Sequence, residues 1–160
     1  MYDELNDLDE ALSLYERVYK GFAASLGETH KSTLEVLGNL TVVHQQRGEV
    51  DVALTLALKA LDGYRAEFGR GHILTLKAIA AVGEVHSQCE DWSTALTWFD
   101  DALKGLEDVA GAHDPETLSV CNRWATTRST RSEATSQTEA IDMHWPVVLQ
   151  QAKQSSISLF

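Results

Sequence analysis

Residues 26–34 read LGETHKSTL, and the same outline returns as FGRGHILTL at 68–76 and as AGAHDPETL at 110–118. Each copy begins 42 residues after the one before, with a glycine in its second position and Thr-Leu at its end. A fixed period of this length indicates stacked supersecondary units rather than one globular core. The three linkers therefore predict a repeat protein.

Between two linkers, the apolar residues follow a helical period. Leu34, Leu37 and Leu40 recur at steps of three, which is the apolar stripe of an amphipathic helix. Gly48 then ends this helix and turns the chain, because glycine tolerates positive φ. A second apolar stripe fills residues 53–68. Each unit is thus predicted to be two antiparallel helices, and the fold class is all-α.

Later units repeat the pattern with two variations. Glu90 stands where the first unit has Gly48, which predicts a less favourable turn. The third unit opens with Asp114-Pro115, where Asp caps the helix and Pro suits its first position. The first two linkers instead carry His30 and His72, which are one period apart.

Small residues also keep the 42-residue step. Gly21, Gly63 and Gly105 share one register, and another small-residue register is formed by Thr41, Gly83 and Ala125. Small side chains at repeated positions let two helices approach closely, and larger ones would overpack the contact.

The pattern resembles the tetratricopeptide repeat (TPR), whose usual unit is about 34 residues long. The longer linker resembles the kinesin-light-chain type, in which Leu-Gly, two variable residues, His-Pro, one residue and Thr-Leu follow one another. The resemblance covers roughly residues 2–125. It implies a right-handed α-solenoid of antiparallel helix pairs, a TPR-like superhelix, with the first helix of each pair on the concave face. It also implies that the linker residues His30 and His72 cap or pack the helix that follows them.

The repeats divide the chain into an array over 1–125 and a C-terminal segment over 126–160. The array holds a partial repeat at 1–26, full repeats at about 27–68 and 69–110, and a half repeat at 111–128. Ser and Thr supply 8 of the 13 residues at 126–138, which favours a degenerate or flexible segment. The alternative is that residues after 140 form a short degenerate helix that caps the array.

One period before His44 and Gly48 lie Tyr2 and Asn6. This register predicts the end of a first helix at Tyr2 and a turn at Asn6. Residues 9–25 then form a second helix without its own first helix, so its apolar face should be exposed or covered by a partner. On this interpretation, the chain is a fragment or a truncated member of a longer array.

Charge and cysteine content narrow the class of partner and the compartment. The net charge of −11 disfavours binding to nucleic acid or to anionic membranes, and a basic peptide or protein suits it better. No run of 18 apolar residues occurs, and the N-terminus has no signal-peptide pattern. We expect a cytoplasmic protein in which Cys89 and Cys121 are reduced, half-buried thiols.

No catalytic or cofactor motif accompanies the repeats. The sequence holds no Gly-x-Ser-x-Gly, phosphate loop or dinucleotide fingerprint. His86 and Cys89 have a spacing that reaches one metal, but two ligands do not make a zinc site. We therefore predict no enzyme activity, no cofactor and no metal, and we assign Trp124 to the core, with a groove aromatic as its alternative.

The leading hypothesis is a protein–protein interaction module, a scaffold or adaptor that binds a peptide or protein segment in the concave groove. First helices of the kinesin-light-chain type carry Leu-Asn-Asn-Leu-Ala with the asparagines facing the groove, and the resemblance carries these over to Asn39 and Asn122 alone. The candidate partner-binding residues are Asn39, Asn122, Arg123, Lys77, Glu35 and Glu84.

Two alternatives belong to other classes. The chain is the repeat region of a larger nucleotide-binding signalling protein or motor adaptor, acting in self-association or autoinhibition through its uncovered N-terminal helix. Or it is a small hydrolase or metalloprotein on a helical array, which needs a polar cluster that the sequence does not show.

Overall fold

The computed structural model describes residues 2–134, with side chains over 7–132. This part of the chain is folded into six α-helices and contains no strand. The helices are α1 (Tyr2–Leu26), α2 (Lys31–Gln46), α3 (Val50–Phe68), α4 (Ile73–Gln88), α5 (Trp92–Ala110) and α6 (Pro115–Ala134). The all-α prediction is confirmed.

The three linkers share their sequence pattern because each makes the same turn between two helices. The glycine that follows α1, α3 or α5 has a φ of 98°, 84° or 91°, a region that side chains with a Cβ disfavour. In two of the linkers, a buried threonine hydroxyl donates to the carbonyl of that glycine: Thr33 to Gly27 at 2.8 Å and Thr75 to Gly69 at 2.7 Å. These bonds fix the angle at which the next helix leaves the linker.

The helix after each linker is capped by a side chain of that linker. Nδ1 of His30 accepts from the N–H of Ser32, and Nδ1 of His72 accepts from the N–H of Leu74, each at 3.2 Å. In the third linker, Asp114 does the same for α6. The capping roles predicted for both histidines and for Asp114 are confirmed, and each satisfies a backbone donor that has no partner inside its helix.

The turns inside the helix pairs differ as the sequence predicted. Gly48 turns the chain between α2 and α3 with a φ of 76°. Glu90 adopts a φ of 60° between α4 and α5, the one non-glycine residue with positive φ in the described part of the chain. An L-residue with a Cβ is strained in this region, so the second turn is the less favourable one.

The helices form two layers, and neighbouring helices lie closer together in one layer than in the other. Within residues 2–134, α4 packs on both α2 and α6, whereas α3 packs on neither α1 nor α5 and reaches α1 through the hydrogen bond from Lys59 to Tyr19. Each of α3 and α5 instead contacts the helix before it and the helix after it. Helices on the inside of a curved stack lie closer together than those outside, so α2, α4 and α6 form the inner, concave layer.

The core runs continuously between the two layers. Leu34, Leu61, Val82 and Leu103 are each at most 2% exposed. Trp124 of α6 is 2% exposed and closes the core at that end, so the groove-aromatic alternative is wrong.

Three expectations are corrected by the structure. The backbone at Asn6 lies inside α1, which continues back to Tyr2, because this segment contains neither Gly nor Pro to end the helix. Helix α6 continues to Ala134, well past the boundary drawn at 125, and residues 135–160 lie outside the described part. Neither cysteine is half-buried: Cys89, after the end of α4, is exposed, and Cys121 is buried.

Candidate partner-binding surface on the first helices

The inner layer presents one solvent-facing stripe per helix, and the 42-residue period keeps the stripes in line. We call these residues the first-helix stripes. On α2 and α4 they are Glu35, Asn39, Val42 and Gln46, and Lys77, Ala81, Glu84 and Gln88. Steps of three and four residues place each set on one side of its helix.

Two ion pairs join α4 to α6 across this surface. Nζ of Lys77 lies 2.7 Å from Oε1 of Glu116, and Nη1 of Arg123 lies 2.8 Å from Oε2 of Glu84. The four side chains are 34–46% exposed, so solvent screens both pairs and each contributes little to stability. Their main effect is to hold four long side chains in a defined arrangement.

A pocket of about 230 Å³ opens between α4 and α6. Glu84, Asn122 and Arg123 line it, so three of the six predicted site residues meet at one place. The remaining wall is formed by Ser87, Phe99, Thr126 and Thr127. Phe99 comes from α5, and it gives the pocket an apolar surface beneath charged and hydroxyl groups.

The other predicted residues do not reach this pocket. Asn39 is exposed on α2. Glu35, also on α2, pairs with Lys31 at 3.7 Å, with both side chains more than half exposed. Lys77 stands two turns before Glu84 on the same side of α4, where it holds Glu116. The predicted set is therefore spread along the inner layer, with one cluster at the α4–α6 end.

Some residues of this surface were missed by the sequence analysis. Glu116 holds Lys77, and the hydroxyls of Ser87 and Thr127 are 3.1 Å apart across the α4–α6 contact. The bonded pairs are separated by 39 or 40 residues, not by 42, because neighbouring first helices are offset along their axes. A search of the sequence for complementary pairs at that spacing would have found Glu116.

Two titrating groups beside these helices have shifted pKa values. Burial raises the pKa of Tyr64 to about 12, and the negative charge of Glu35 adds to the rise. Burial also raises the pKa of Asp100 on α5, the indole of Trp124 acts in the opposite direction, and the charge of Asp101 adds to the rise.

The described residues contain neither a metal-binding cluster nor a membrane span. No group of three His, Cys, Asp or Glu side chains in that part is arranged to hold a metal ion. Nδ1 of His86 lies 3.4 Å from Oδ2 of Asp91. No helix within residues 2–134 combines the length and the apolar character that a bilayer span needs.

Comparison with known proteins places these features in context. The tetratricopeptide repeat model matches residues 1–66 and 42–108, which together make up more than half of the chain. No curated protein matches the sequence.

Solved structures match the fold at low sequence identity. BtubC (BKLC) from P. vanneervenii has a TM-score of 0.70 at 17% identity, and the match covers 99% of this chain and 61% of BtubC. The nearly identical TPR-like repeats of a kinesin light chain type from Podosopora anserina have a TM-score of 0.72 at 16% identity, covering 99% of this chain and 72% of theirs. A point variant of the latter gives 0.73 at 15% identity, covering 99% and 71%. This chain thus spans about three-fifths of the BtubC chain.

Proposed function

Since this chain belongs to the tetratricopeptide repeat family, whose repeats are in general protein–protein interaction modules, we propose that it binds an extended segment of a protein partner along α2, α4 and α6. The observation that carries the proposal is the convergence of Glu84, Asn122 and Arg123 on one pocket of the inner layer. In this proposal the chain acts as a scaffold or adaptor and catalyses no reaction.

The side chains suggest how the segment is held. Asn39 and Asn122 are exposed amides, each with both a donor and an acceptor, and amides of this kind bind the backbone of an extended peptide. Glu84 is 46% exposed beside Arg123, so it can accept from a basic side chain of the partner. The net charge of −11 attracts a basic segment during its approach.

The size of the pocket favours a side chain of the partner as its occupant over a free small molecule. Its volume of about 230 Å³ is below the roughly 300–1,000 Å³ of typical small-molecule sites. The hydroxyls of Ser87 and Thr126 and the ring of Phe99 make its walls mixed in polarity. We propose that one partner side chain with an apolar stem and a polar end fills it.

The test is a selection of peptides from a displayed random library with the whole chain as bait. Each selected peptide is then titrated calorimetrically against the wild type and against the triple variant Asn39→Ala, Asn122→Ala, Arg123→Ala. A control variant, Lys104→Ala with Asp108→Ala, removes exposed charges from the second helix α5. Loss of at least about tenfold in affinity, or 1.4 kcal/mol, in the triple variant alone supports the groove; equal binding by all three proteins refutes it.

We further propose a cytoplasmic location. Cys89 is an exposed free thiol, which a reducing compartment keeps in that state. Fractionation of cells that produce the tagged chain tests this location directly.

A further inference from the structure

The outer side of α1 is apolar and uncovered. Four large side chains at steps of four residues form a stripe along it, which we call the α1 stripe: Leu14 at 56% exposure, Val18 at 40%, Phe22 at 36% and Leu26 at 47%. The opposite side of α1 packs on the core through Leu12, Tyr15 and Tyr19. The exposed apolar face that the sequence predicted for this helix is confirmed.

The same positions are covered in the next second helix. One period after Val18 and Phe22 stand Ala60 and Tyr64 of α3, which are 4% and 8% exposed. They are covered because α2 precedes α3 and packs along it. Within residues 2–134, α1 packs on α2, and Lys59 of α3 reaches Tyr19 on the core-facing side of α1, so no helix covers the α1 stripe.

A glycine in each second helix marks the closest approach of its first helix. A Cβ at Gly63 would lie 2.4 Å from Cδ2 of Leu34, and a Cβ at Gly105 would lie 2.3 Å from Cδ2 of Leu76. Gly21 is the equivalent residue of α1, and a Cβ there would meet nothing within 4 Å. The helix that fits α1 must therefore present a leucine at the position that Leu34 and Leu76 occupy.

Helix α6 is a first helix of this kind. Its Leu118 stands one period after Leu76, and its Ala125 stands one period after Gly83. Both side chains are partly exposed, whereas Leu76 is 4% exposed beneath α5. In the described part of the chain, no second helix follows α6 to cover them.

We propose that α6 of one copy packs on α1 of the next copy and completes a repeat between two chains. Leu118 then fits against Gly21 as Leu76 fits against Gly105. Ala125 lies beside Leu14, as Gly83 lies beside Trp98 in the α4–α5 pair. The two half repeats of the chain, one at each end of the described array, are complementary halves of a single unit.

Charge supports the same pairing. The helices of a pair are antiparallel, so the second half of α6 lies along the first half of α1. All charged side chains of α6 between residues 117 and 132 are arginines, and the exposed Arg128 lies three residues after Ala125. On α1, Asp7 and Glu10 are exposed and lie on the same side as Leu14, seven and four residues before it. Opposite charges thus meet beyond the apolar contact.

The contact joins two different surfaces, so its geometry is head to tail. Such heterologous contacts extend into open chains unless the rotation between copies closes a ring. The contact uses α1 and the side of α6 that carries Leu118, and it does not depend on the groove proposal. Neither Gly21 nor Leu118 lines the pocket of the groove proposal, so variants at these two residues distinguish the two proposals.

Sedimentation velocity on the whole chain over a wide concentration range tests the inference. We expect the wild type to form species larger than a dimer as concentration rises. Gly21→Gln should stay monomeric, because its side chain occupies the place of Leu118, and Leu118→Glu should stay monomeric as well. Gly38→Gln is the matched control, since Gly38 is also an exposed helical glycine with open space around its Cβ position, and it should associate like the wild type.

Mixing the two variants decides the mode of contact. Leu118→Glu retains the α1 surface and Gly21→Gln retains the α6 surface, so an equimolar mixture should form a heterodimer of twice the monomer mass and nothing larger. If Leu118→Glu loses helicity, the variant Arg128→Glu is used in its place, because Arg128 is exposed and its substitution leaves the core unchanged. A wild type that stays monomeric, association that survives Gly21→Gln, or a mixture that stays monomeric would each overturn the inference. The variant Lys104→Ala with Asp108→Ala, whose substitutions lie on α5, should assemble like the wild type, and its failure to do so would also count against the inference.

Discussion

The hydroxyl oxygen of Thr75 lies 2.7 Å from the carbonyl oxygen of Gly69, and Thr33 holds Gly27 in the same way. The third copy of the linker differs, because the buried hydroxyl of Thr117 has no hydrogen-bond partner in the described part of the chain. Thr33 and Thr75 therefore stabilise their linkers through a hydrogen bond, whereas Thr117, at the same position of the third linker, carries an unsatisfied hydroxyl.

This difference predicts opposite effects of one substitution at two repeated positions. Thr75→Val should lower the free energy of unfolding by about 0.5–1.5 kcal/mol, because the bond to Gly69 is lost. Thr117→Val should leave it unchanged or raise it, since no bond is lost and a buried polar atom is removed. Urea denaturation measures both variants, and equal losses would show that the threonines act through their shape alone.

Replacing glycines of the second helices by alanine should also change the stability of the chain unequally. Gly105→Ala should cost about 1–3 kcal/mol, because the new methyl overlaps with the side chain of Leu76, which is 4% exposed and must shift within the core. Gly21→Ala should stabilise the chain by roughly 0.5–1 kcal/mol, since alanine favours the helix and the new methyl meets nothing. Thermal unfolding at a concentration where the chain is monomeric provides the comparison. A stable Gly105→Ala would mean that α4 and α5 are packed more loosely than described.

The capping role of His72 predicts that two substitutions at this residue lower the stability by different amounts. His72→Ala removes the acceptor for the N–H of Leu74 and should cost about 0.5–2 kcal/mol. It also removes the stacking on Phe68, where the ring centroids are 4.8 Å apart. His72→Asp restores the acceptor alone, as Asp114 supplies it in the third linker, and should recover part of the loss. Urea denaturation of both variants separates capping from stacking; identical losses would leave the cap without a measurable effect.

A pH dependence follows from the raised pKa of Asp100, which has burial as its largest cause. The folded state holds this proton more tightly than the unfolded chain. The contribution of Asp100 to the free energy of unfolding is therefore fully present in acid. It is lost as the pH rises from the usual pKa range of aspartate through the raised pKa of the folded state.

Asp100→Asn should consequently raise the melting temperature at neutral pH, because the asparagine stays uncharged. The gain should disappear in acid, where the wild-type carboxyl is protonated in both states. Asp101→Asn, the exposed neighbour, is the control and should show a smaller change. A gain that is constant with pH would assign the effect to a cause other than charge.

Much of the fold was predictable because its determinants are local and repeated. A glycine with positive φ, a cap and an apolar stripe each depend on a few neighbouring residues, and three copies in register exclude coincidence. The resemblance to kinesin-light-chain-type repeats is confirmed by the family match and by the structural neighbours.

The length of α6 was not predictable from composition. Its many Ser and Thr residues indicated flexibility, yet the hydroxyls of Thr126 and Thr130 donate to the carbonyls four residues earlier and stay within the helix. Thr127 is 5% exposed, which supplies the packing that holds this stretch. Composition describes the average tendency of a segment, and here one buried contact outweighs it.

The candidate site was predictable only in part. The register identified the inner side of each first helix, but the partners of Lys77 and Arg123 depend on the axial offset between α4 and α6, which the sequence period does not contain. Whether Asn39 and Glu35 of α2 take part in binding stays a prediction.

The restriction of each helix to its near neighbours determines how the molecule comes apart. Within residues 2–134 no contact joins α1 to α6, so thermal fluctuations fray this part of the molecule from these two helices inward. Helix α4 has packed helices before it, after it and on both sides of the inner layer. Its amide hydrogens should be the last to exchange with solvent, and the molecule is stiffest at its centre.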